Sequence, residues 1–345
     1  MKKPSPAARP SRRIVGWAAA AALLLAIPLP PASGQAPVAR LEVSSRPITQ
    51  FHIGHQTKDF GPLEFIGGLE MVSRGRHFGA LSSFRFLSPG GDFVGVADTG
   101  FWFFGKVVRD EAQRPVGIAD FTMQAMVDAK GNALDEKQYV DAEGLEVKDG
   151  VATVGFERQH RVAQFRIEPK DMKAPIRELD FVIPRRELRQ NKGFETVVQA
   201  PAGGPLEGSI VLVSERSLDE EGNIFAAILE GPGKGIFKVK RDDGFDITDG
   251  AFLPNGDLLL LERRFAVADG VAMRLRRIDG ETIRAGRVAD GRVLLSADMG
   301  YQIDNMEGLD VWRRADGALM VSVISDDNHS LFQRNLYLEF QLHED

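Results

Sequence analysis

Five apolar runs in this sequence end on acidic residues. Asp98 closes the run in "VGVADTG", Glu157 that in "VGFERQH", Glu215 that in "VLVSERS" and Glu262 that in "LLLLERRF", while Asp326 opens "DDNH" after "MVSVIS". In three of them an arginine comes next: Arg158, Arg216 and Arg263. A second acidic element stands a short way upstream, with Glu70 in "GGLEMV", Glu143 in "EGLEV" and Glu307 in "EGLDV". Gathered in one place, such carboxylates repel one another unless a cation neutralises them. Calcium suits them, because it accepts roughly six to eight oxygen ligands in flexible geometry. The arginine fork adds bidentate recognition of a phosphate or carboxylate. Glu70, Asp98, Glu143, Glu157, Glu215, Glu262, Glu307 and Asp326 are therefore the candidate Ca²⁺ ligands. Arg158, Arg216 and Arg263 are candidates for neutralising a substrate, and His329 or His160 for carrying a proton. A Glu-Arg pair at a strand end also reads as a salt bridge that fixes a loop, and that alternative stands beside the first.

Residues this far apart meet only if the elements carrying them converge. Short β-branched or aromatic runs alternate here with Asp-Gly and Asn-Gly dipeptides, as in "VKDGVATVGF", "FLPNGDLLLLE" and "RRADGALMVSV". Those dipeptides take the positive φ angles of two-residue hairpin turns, so the pattern predicts an antiparallel all-β protein. "GGLEMV", "EGLEV", "GFETVV", the degenerate "DGAFLPNGD" and "EGLDV" form a weak repeat. Aligned on Gly68, Gly144, Gly193, Gly250 and Gly308, the copies recur at intervals of roughly 50–75 residues, which suits four-stranded propeller blades with insertions. The reading is a single β-propeller of about six blades, with five to seven allowed. Strand-like segments at 39–48 and 335–342 are expected to share one blade and close the ring, since an open ring leaves sheet edges exposed. The charged, Pro-containing segment 165–192 reads as an excursion between blades.

The ends and the composition bound the function. Lys2, Lys3, Arg9, Arg12 and Arg13 precede an apolar stretch and then Ala32-Ser33-Gly34, the order of an export signal over residues 1–34. Ser11-Arg12-Arg13 also fits the start of a twin-arginine signal, so either Sec or twin-arginine export is open. Residues 35–345 are then a periplasmic or secreted domain with no further membrane span, expected to be a monomer. A net charge of −6 argues against a nucleic-acid partner. The absence of cysteine excludes disulfides, thiolate metal sites and a cysteine nucleophile. No Gly-x-Ser-x-Gly elbow occurs, and "GPGKGI" lacks the Ser or Thr of a phosphate loop.

Taken in order, "FGPLEFIGGLEM", "HFGALSSFRFL", "VGVADTGFWFFG", "AEGLEV", "GFERQHRVAQF", "NKGFETV", "LLLLERRF", "NMEGLDVW" and "ISDDNHSLFQRNLYLEFQL" resemble the exported bacterial "esterase-like activity of phytase" family. The resemblance runs from about residue 41 to 342 and implies a β-propeller with phosphoesterase or esterase activity. The Asp-Asp-Pro and Asn-Asn-Val-Asp motifs of better understood propeller phytases are missing, so inositol-phosphate hydrolysis is not part of the expectation. The function expected is a Ca²⁺-assisted exported hydrolase of a phosphate or other small anionic ester. The alternatives are a non-catalytic binding propeller of the cell envelope and a lactonase-type propeller.

Overall fold

Turn dipeptides and short apolar strands build a ring of antiparallel sheets in the computed structural model, which describes Met1 and residues 38–134, 137–190, 192–231, 233–267 and 269–344. Residues 34–345 form one unit. Five sheets are arranged as five blades. From inner to outer strand, blade 1 holds Leu81–Phe86, Asp92–Ala97, Phe101–Arg109 and Pro115–Ala125, with Ala39–Arg40 at its edge. Blade 2 holds Ala142–Lys148, Val151–Phe156, Arg161–Arg166 and Arg177–Leu179. Blade 3 holds Phe194–Gln199, Ile210–Leu218, Ile224–Ile228 and Gly235–Val239, with Val288–Ala289 pairing parallel outside. Blade 4 holds Asp246–Phe252, Leu258–Ala266, Gly270–Ile278 and Gly291–Ala297. Blade 5 holds Asn305–Arg313, Leu319–Asp326 and Asn335–Leu342, then the N-terminal strands Leu63–Val72 and Ser44–Ile48.

Closure is visible in the core. Strands alternate so that each face of a blade packs on a neighbouring blade, and the buried apolar residues fall into one cluster per interface. Trp102 and Phe104 meet Val154 and Phe165 between blades 1 and 2. Val162 meets Leu212 between blades 2 and 3, and Val213 meets Leu258 between blades 3 and 4. Leu259 and Leu261 meet Leu309 and Phe340 between blades 4 and 5, and Tyr337 meets Phe84 and Phe93 between blades 5 and 1. Five face-to-face interfaces for five blades close the ring. Each such side chain contributes about 1.5–3 kcal/mol by leaving water, so these seams hold the inner strands in place.

The blade count is five, the low end of the expected range and one fewer than the preferred six. "GGLEMV" is the reason. It lies on the fourth strand of blade 5 rather than on an inner strand, where Glu70 pairs with Arg46 of Ser44–Ile48. The inner strand of blade 1 is instead "LSSFRF", which lacks the acidic signature. The expected sharing of one blade by the chain ends holds, with Leu63–Val72 seated between Ser44–Ile48 and Asn335–Leu342. Segment 165–192 is not an excursion, because it supplies Arg177–Leu179, the outer strand of blade 2. The expected export signal at 1–34 lies, Met1 aside, outside the described residues. No helix among the described residues is long and apolar enough to cross a membrane.

Candidate active site

All five inner strands share one irregularity. Their pairing with the second strand slips between Leu81 and Ser83, at Gly155/Phe156 opposite Gly144 and Ala142, between Phe194 and Thr196, between Ile247 and Asp249, and between Met306 and Gly308. Each slip is a β-bulge that leaves one residue out of the ladder and re-aims its side chain. The bulged residues are Ser82, Glu143, Glu195, Thr248 and Glu307. Gly144 follows one of them because the neighbouring blade is too close for a side chain: a Cβ there would stand 2.7 Å from the carbonyl oxygen of Glu195. The recurrent acid-glycine pair is thus a bulge signature, and the bulge is what turns the acid inward.

The second strand of each blade returns to the same end of the channel, bringing Asp98, Glu157, Glu215 and Asp326 beside the bulged acids. Together with Ser82, Lys192, Arg263 and Asn328 they line a cavity of about 130 Å³. One carboxylate oxygen each from Asp98, Asp141 and Glu143 lie within 4.8 Å of one another, and so do those from Glu157, Glu195 and Glu215. Glu157 Oε1 accepts from the Gly193 amide at 2.7 Å. Lys192 Nζ donates to Glu215 at 2.6 and 2.8 Å. Arg263 reaches from blade 4 to Glu307 and Asn305 on one side and, at 3.4 Å, to Glu215 on the other. Asn305 Nδ2 also donates to Glu307 Oε1 at 2.7 Å.

Charge here is unbalanced. Among the described side chains, eight carboxyls (Asp98, Asp141, Glu143, Glu157, Glu195, Glu215, Glu307 and Asp326) face three cationic ones: Lys192, Arg263 and Arg158, which holds Asp141 at 2.5 Å. Burial, then the nearby carboxylates, push Glu143 and Glu195 well above the ordinary range. Burial likewise lifts Glu157 and Asp326 to about 7, and Glu307 to about 8 despite Arg263. Such a site at neutral pH takes up either protons or a cation. All its acidic donors are hard oxygens, which fits a Ca²⁺-class ion rather than a metal that prefers nitrogen or sulfur.

A buried ion pair joins two of the inner strands. Arg85, on the inner strand of blade 1, donates through Nη1 and Nη2 to Asp249 of blade 4 at 2.9 and 3.0 Å. Blades 1 and 4 are not neighbours, so this pair spans the channel. Asp249 is fully buried and also accepts from Ser83 Oγ at 2.8 Å and from the Leu309 amide at 2.9 Å. Neither Arg85 nor Asp249 lines the acidic mouth, and Arg85 lines instead a separate cavity with Glu146 and Asp310.

Of the residues singled out in the sequence, Asp98, Glu143, Glu157, Glu215, Glu307, Asp326 and Arg263 are brought together here. Glu70 sits on an outer strand of blade 5, paired with Arg46. Glu262 stands one residue short of the slot that holds Asp98, Glu157, Glu215 and Asp326, which blade 4 fills with Arg263, and it turns away to Arg274 and Arg276, all three buried. Arg158 acts on Asp141, and Arg216 pairs with Asp246 at 3.2 Å in an adjoining cleft. Neither histidine lines the mouth. His160 is buried against Phe194, and burial lowers its pKa, while His329 lies in an exposed loop beside Gly79. Sequence reasoning missed Glu195, Asp141, Lys192 and Asn305. Glu195 was hidden, because aligning "GFETVV" on Gly193 puts it in the slot of Glu146 and Asp310, and only the bulge sets it level with Glu143 and Glu307.

Comparison with known proteins adds a family. The family model described as "Phytase-like: Esterase-like activity of phytase" matches residues 76–329. No curated protein sequence matches the chain. Among solved structures it is similar to an endo-arabinase from Bacteroides thetaiotaomicron VPI-5482, at 13% identity and a TM-score of 0.44, over 72% of this chain and 89% of that one. It is also similar to the PQQ-bound aldose sugar dehydrogenase of Streptomyces coelicolor, at 11% identity and a TM-score of 0.39, over 87% of this chain and 98% of that one. A third similarity is to Myxococcus xanthus glutaminyl cyclase, at 13% identity and a TM-score of 0.39, over 77% and 92% of the two chains. None of these activities is carried over to this chain.

Proposed function

We propose that this chain, which belongs to the phytase-like family, is an exported hydrolase of a phosphate or other small anionic ester, assisted by a Ca²⁺-class cation. Family membership supports hydrolase chemistry on a propeller, and the basic-then-apolar opening of the sequence supports export. One observation carries the reading: the two carboxylate triads at the acidic mouth, Asp98–Asp141–Glu143 and Glu157–Glu195–Glu215, with Lys192 and Arg263 beside them. These triads would hold the cation. Bound there, it would polarise the ester oxygen and lower the pKa of a water.

The remaining steps belong to the side chains. Lys192 and Arg263 orient the anionic group of the substrate, Arg263 through its planar fork. Glu307 stands outside both triads, with Oε1 engaged by Asn305 and Arg263. Its carboxyl, lifted to about 8 by burial, keeps its proton at neutral pH and gives it to the leaving oxygen. The proton-carrying role expected of His329 or His160 passes to Glu307, because neither imidazole lines the cavity.

The test pairs stability with turnover on purified mature protein. Thermal unfolding is compared in Ca²⁺ and in chelator, and p-nitrophenyl phosphate and p-nitrophenyl acetate are assayed in both. A rise in Tm with Ca²⁺ and Ca²⁺-dependent release of p-nitrophenol are expected, since an ion that binds only the native state stabilises it. No shift and no turnover of either ester sinks the reading. A shift without turnover assigns the mouth to binding alone.

A further inference from the structure

Beside the acidic mouth lies a second, larger cleft of about 700 Å³, and the two share Lys192, Glu215 and Arg263. Its character is different. Phe265, from the second strand of blade 4, and Met299 and Phe332, from the loops that flank the inner and second strands of blade 5, line it with apolar surface. Met299 reaches across to the blade 4 hairpin, where a Cβ on Gly270 would stand 2.8 Å from its side chain. Apart from Met1, the five most exposed large apolar side chains of the described residues are Leu331, Phe332, Val267, Phe265 and Met299. All of them lie in this cleft or within two residues of a residue that lines it. Exposed apolar surface gathered at one place, next to a polar pocket, marks a contact made in function.

The charges of the cleft narrow the occupant. Arg216 is engaged by Asp246, and Arg334 by Asp304 at 3.4 Å. Among the described residues the cleft walls thus carry no surplus positive charge for a second phosphate, whereas Lys192 and Arg263, at the junction with the mouth, share Glu215, a carboxylate of the triad that would hold the cation. We infer that the substrate is a monoester joining one anionic head to an apolar alcohol, with the head at Lys192 and Arg263 and the apolar chain along Phe265, Met299 and Phe332. This rests on the reading of the mouth as a hydrolytic site, and it excludes a polyphosphorylated polyol as the preferred substrate. Burial of several methylenes is what the cleft would add to binding.

The experiment separates the two readings. In Ca²⁺, n-octylphosphonate and methylphosphonate are titrated calorimetrically into the mature protein and into the Phe265→Ser/Phe332→Ser double variant, whose side chains are exposed and whose folding is checked by circular dichroism. n-Octyl and methyl phosphate are then assayed as substrates. The octyl compound is expected to bind about 10-fold tighter or more, with the difference falling to about 2-fold in the variant. Equal binding of the two phosphonates by the unaltered protein overturns the inference. Hydrolysis of both phosphates with equal kcat/KM also overturns it while leaving the hydrolase reading intact. Chain-length-dependent binding without hydrolysis keeps the cleft and sinks the hydrolase. Adsorption to phosphatidylglycerol vesicles with no preference between the phosphonates overturns it too, and assigns the patch to a lipid surface.

Discussion

Arg85 and Asp249 face each other across the propeller axis, two hydrogen bonds of 2.9 and 3.0 Å joining blades that are not neighbours. Arg85 also donates to the carbonyl oxygens of Leu309, at 2.5 Å, and Gly250, at 2.9 Å, so one side chain ties blade 1 to blades 4 and 5. Removing one partner leaves the other charged and buried. Arg85→Met is therefore expected to cost about 3–5 kcal/mol in urea unfolding, and Arg85→Met/Asp249→Leu to recover much of it. Additive losses in the double variant would show that the pair is not coupled.

The acidic mouth gives the cation-free protein an unusual pH dependence. Glu157, Asp326 and Glu307, raised to about 7, 7 and 8, bind more protons folded than unfolded between their ordinary range and these values. Stability then falls wherever the native state holds the extra protons. In chelator, Tm should decline as pH rises from about 4.5 to about 8. Saturating Ca²⁺ should flatten the part of the slope below about pH 7, because the ion replaces the proton of the triad residue Glu157, while Glu307, outside both triads, keeps its own. A Tm that climbs over this window in chelator contradicts the raised carboxyls.

Glu195→Gln separates binding from repulsion. It removes one charge from the Glu157–Glu195–Glu215 triad, so Ca²⁺ affinity should drop about 10-fold or more. The same change relieves crowding and should raise Tm in chelator. A lower Tm in both conditions would mark Glu195 as a structural residue only.

Glu262 and Glu70 serve as contrasts. Glu262→Gln leaves the buried Arg274 and Arg276 without their shared carboxylate and should destabilise by about 3–5 kcal/mol, with the Ca²⁺ shift in Tm unchanged. Glu70 is bridged by the exposed Arg46, so Glu70→Ala should cost no more than about 1 kcal/mol. Loss of the Ca²⁺ response in either variant would place that acid at the cation.

For turnover, Glu307→Gln should lower kcat by about 10²–10⁴, the range of a lost general acid. His329→Ala should stay within about 2-fold of the unaltered enzyme, since its side chain, unlike that of Asn328, does not line the cavity. The reverse pattern would return the proton to His329.

Strand type, turn positions and the acids themselves are local properties, so the sequence alone determined them. Asp-Gly and Asn-Gly placed the hairpins, alternation placed the strands, and the acid-glycine slot marked Glu143 and Glu307. Which copy counted as a blade was not local. "GGLEMV" and "EGLDV" look alike, yet closure of the ring put the first on an outer strand and the second on an inner one, because a strand's depth in a blade depends on what pairs with it on either side. The same holds for Glu215 and Glu262, alike in sequence but one register step apart. Successive side chains of a strand point to opposite faces, so Glu215 meets Lys192 and Arg263 while Glu262 enters a buried bridge with Arg274 and Arg276. Lys192, Asp141 and Arg85 lie outside the quoted repeat copies, and Asp249 opens one of them, but the slip between Ile247 and Asp249 puts Thr248 in the bulge and leaves Asp249 to Arg85. They meet their partners only because five blades converge on one axis and set residues from distant segments within hydrogen-bonding reach.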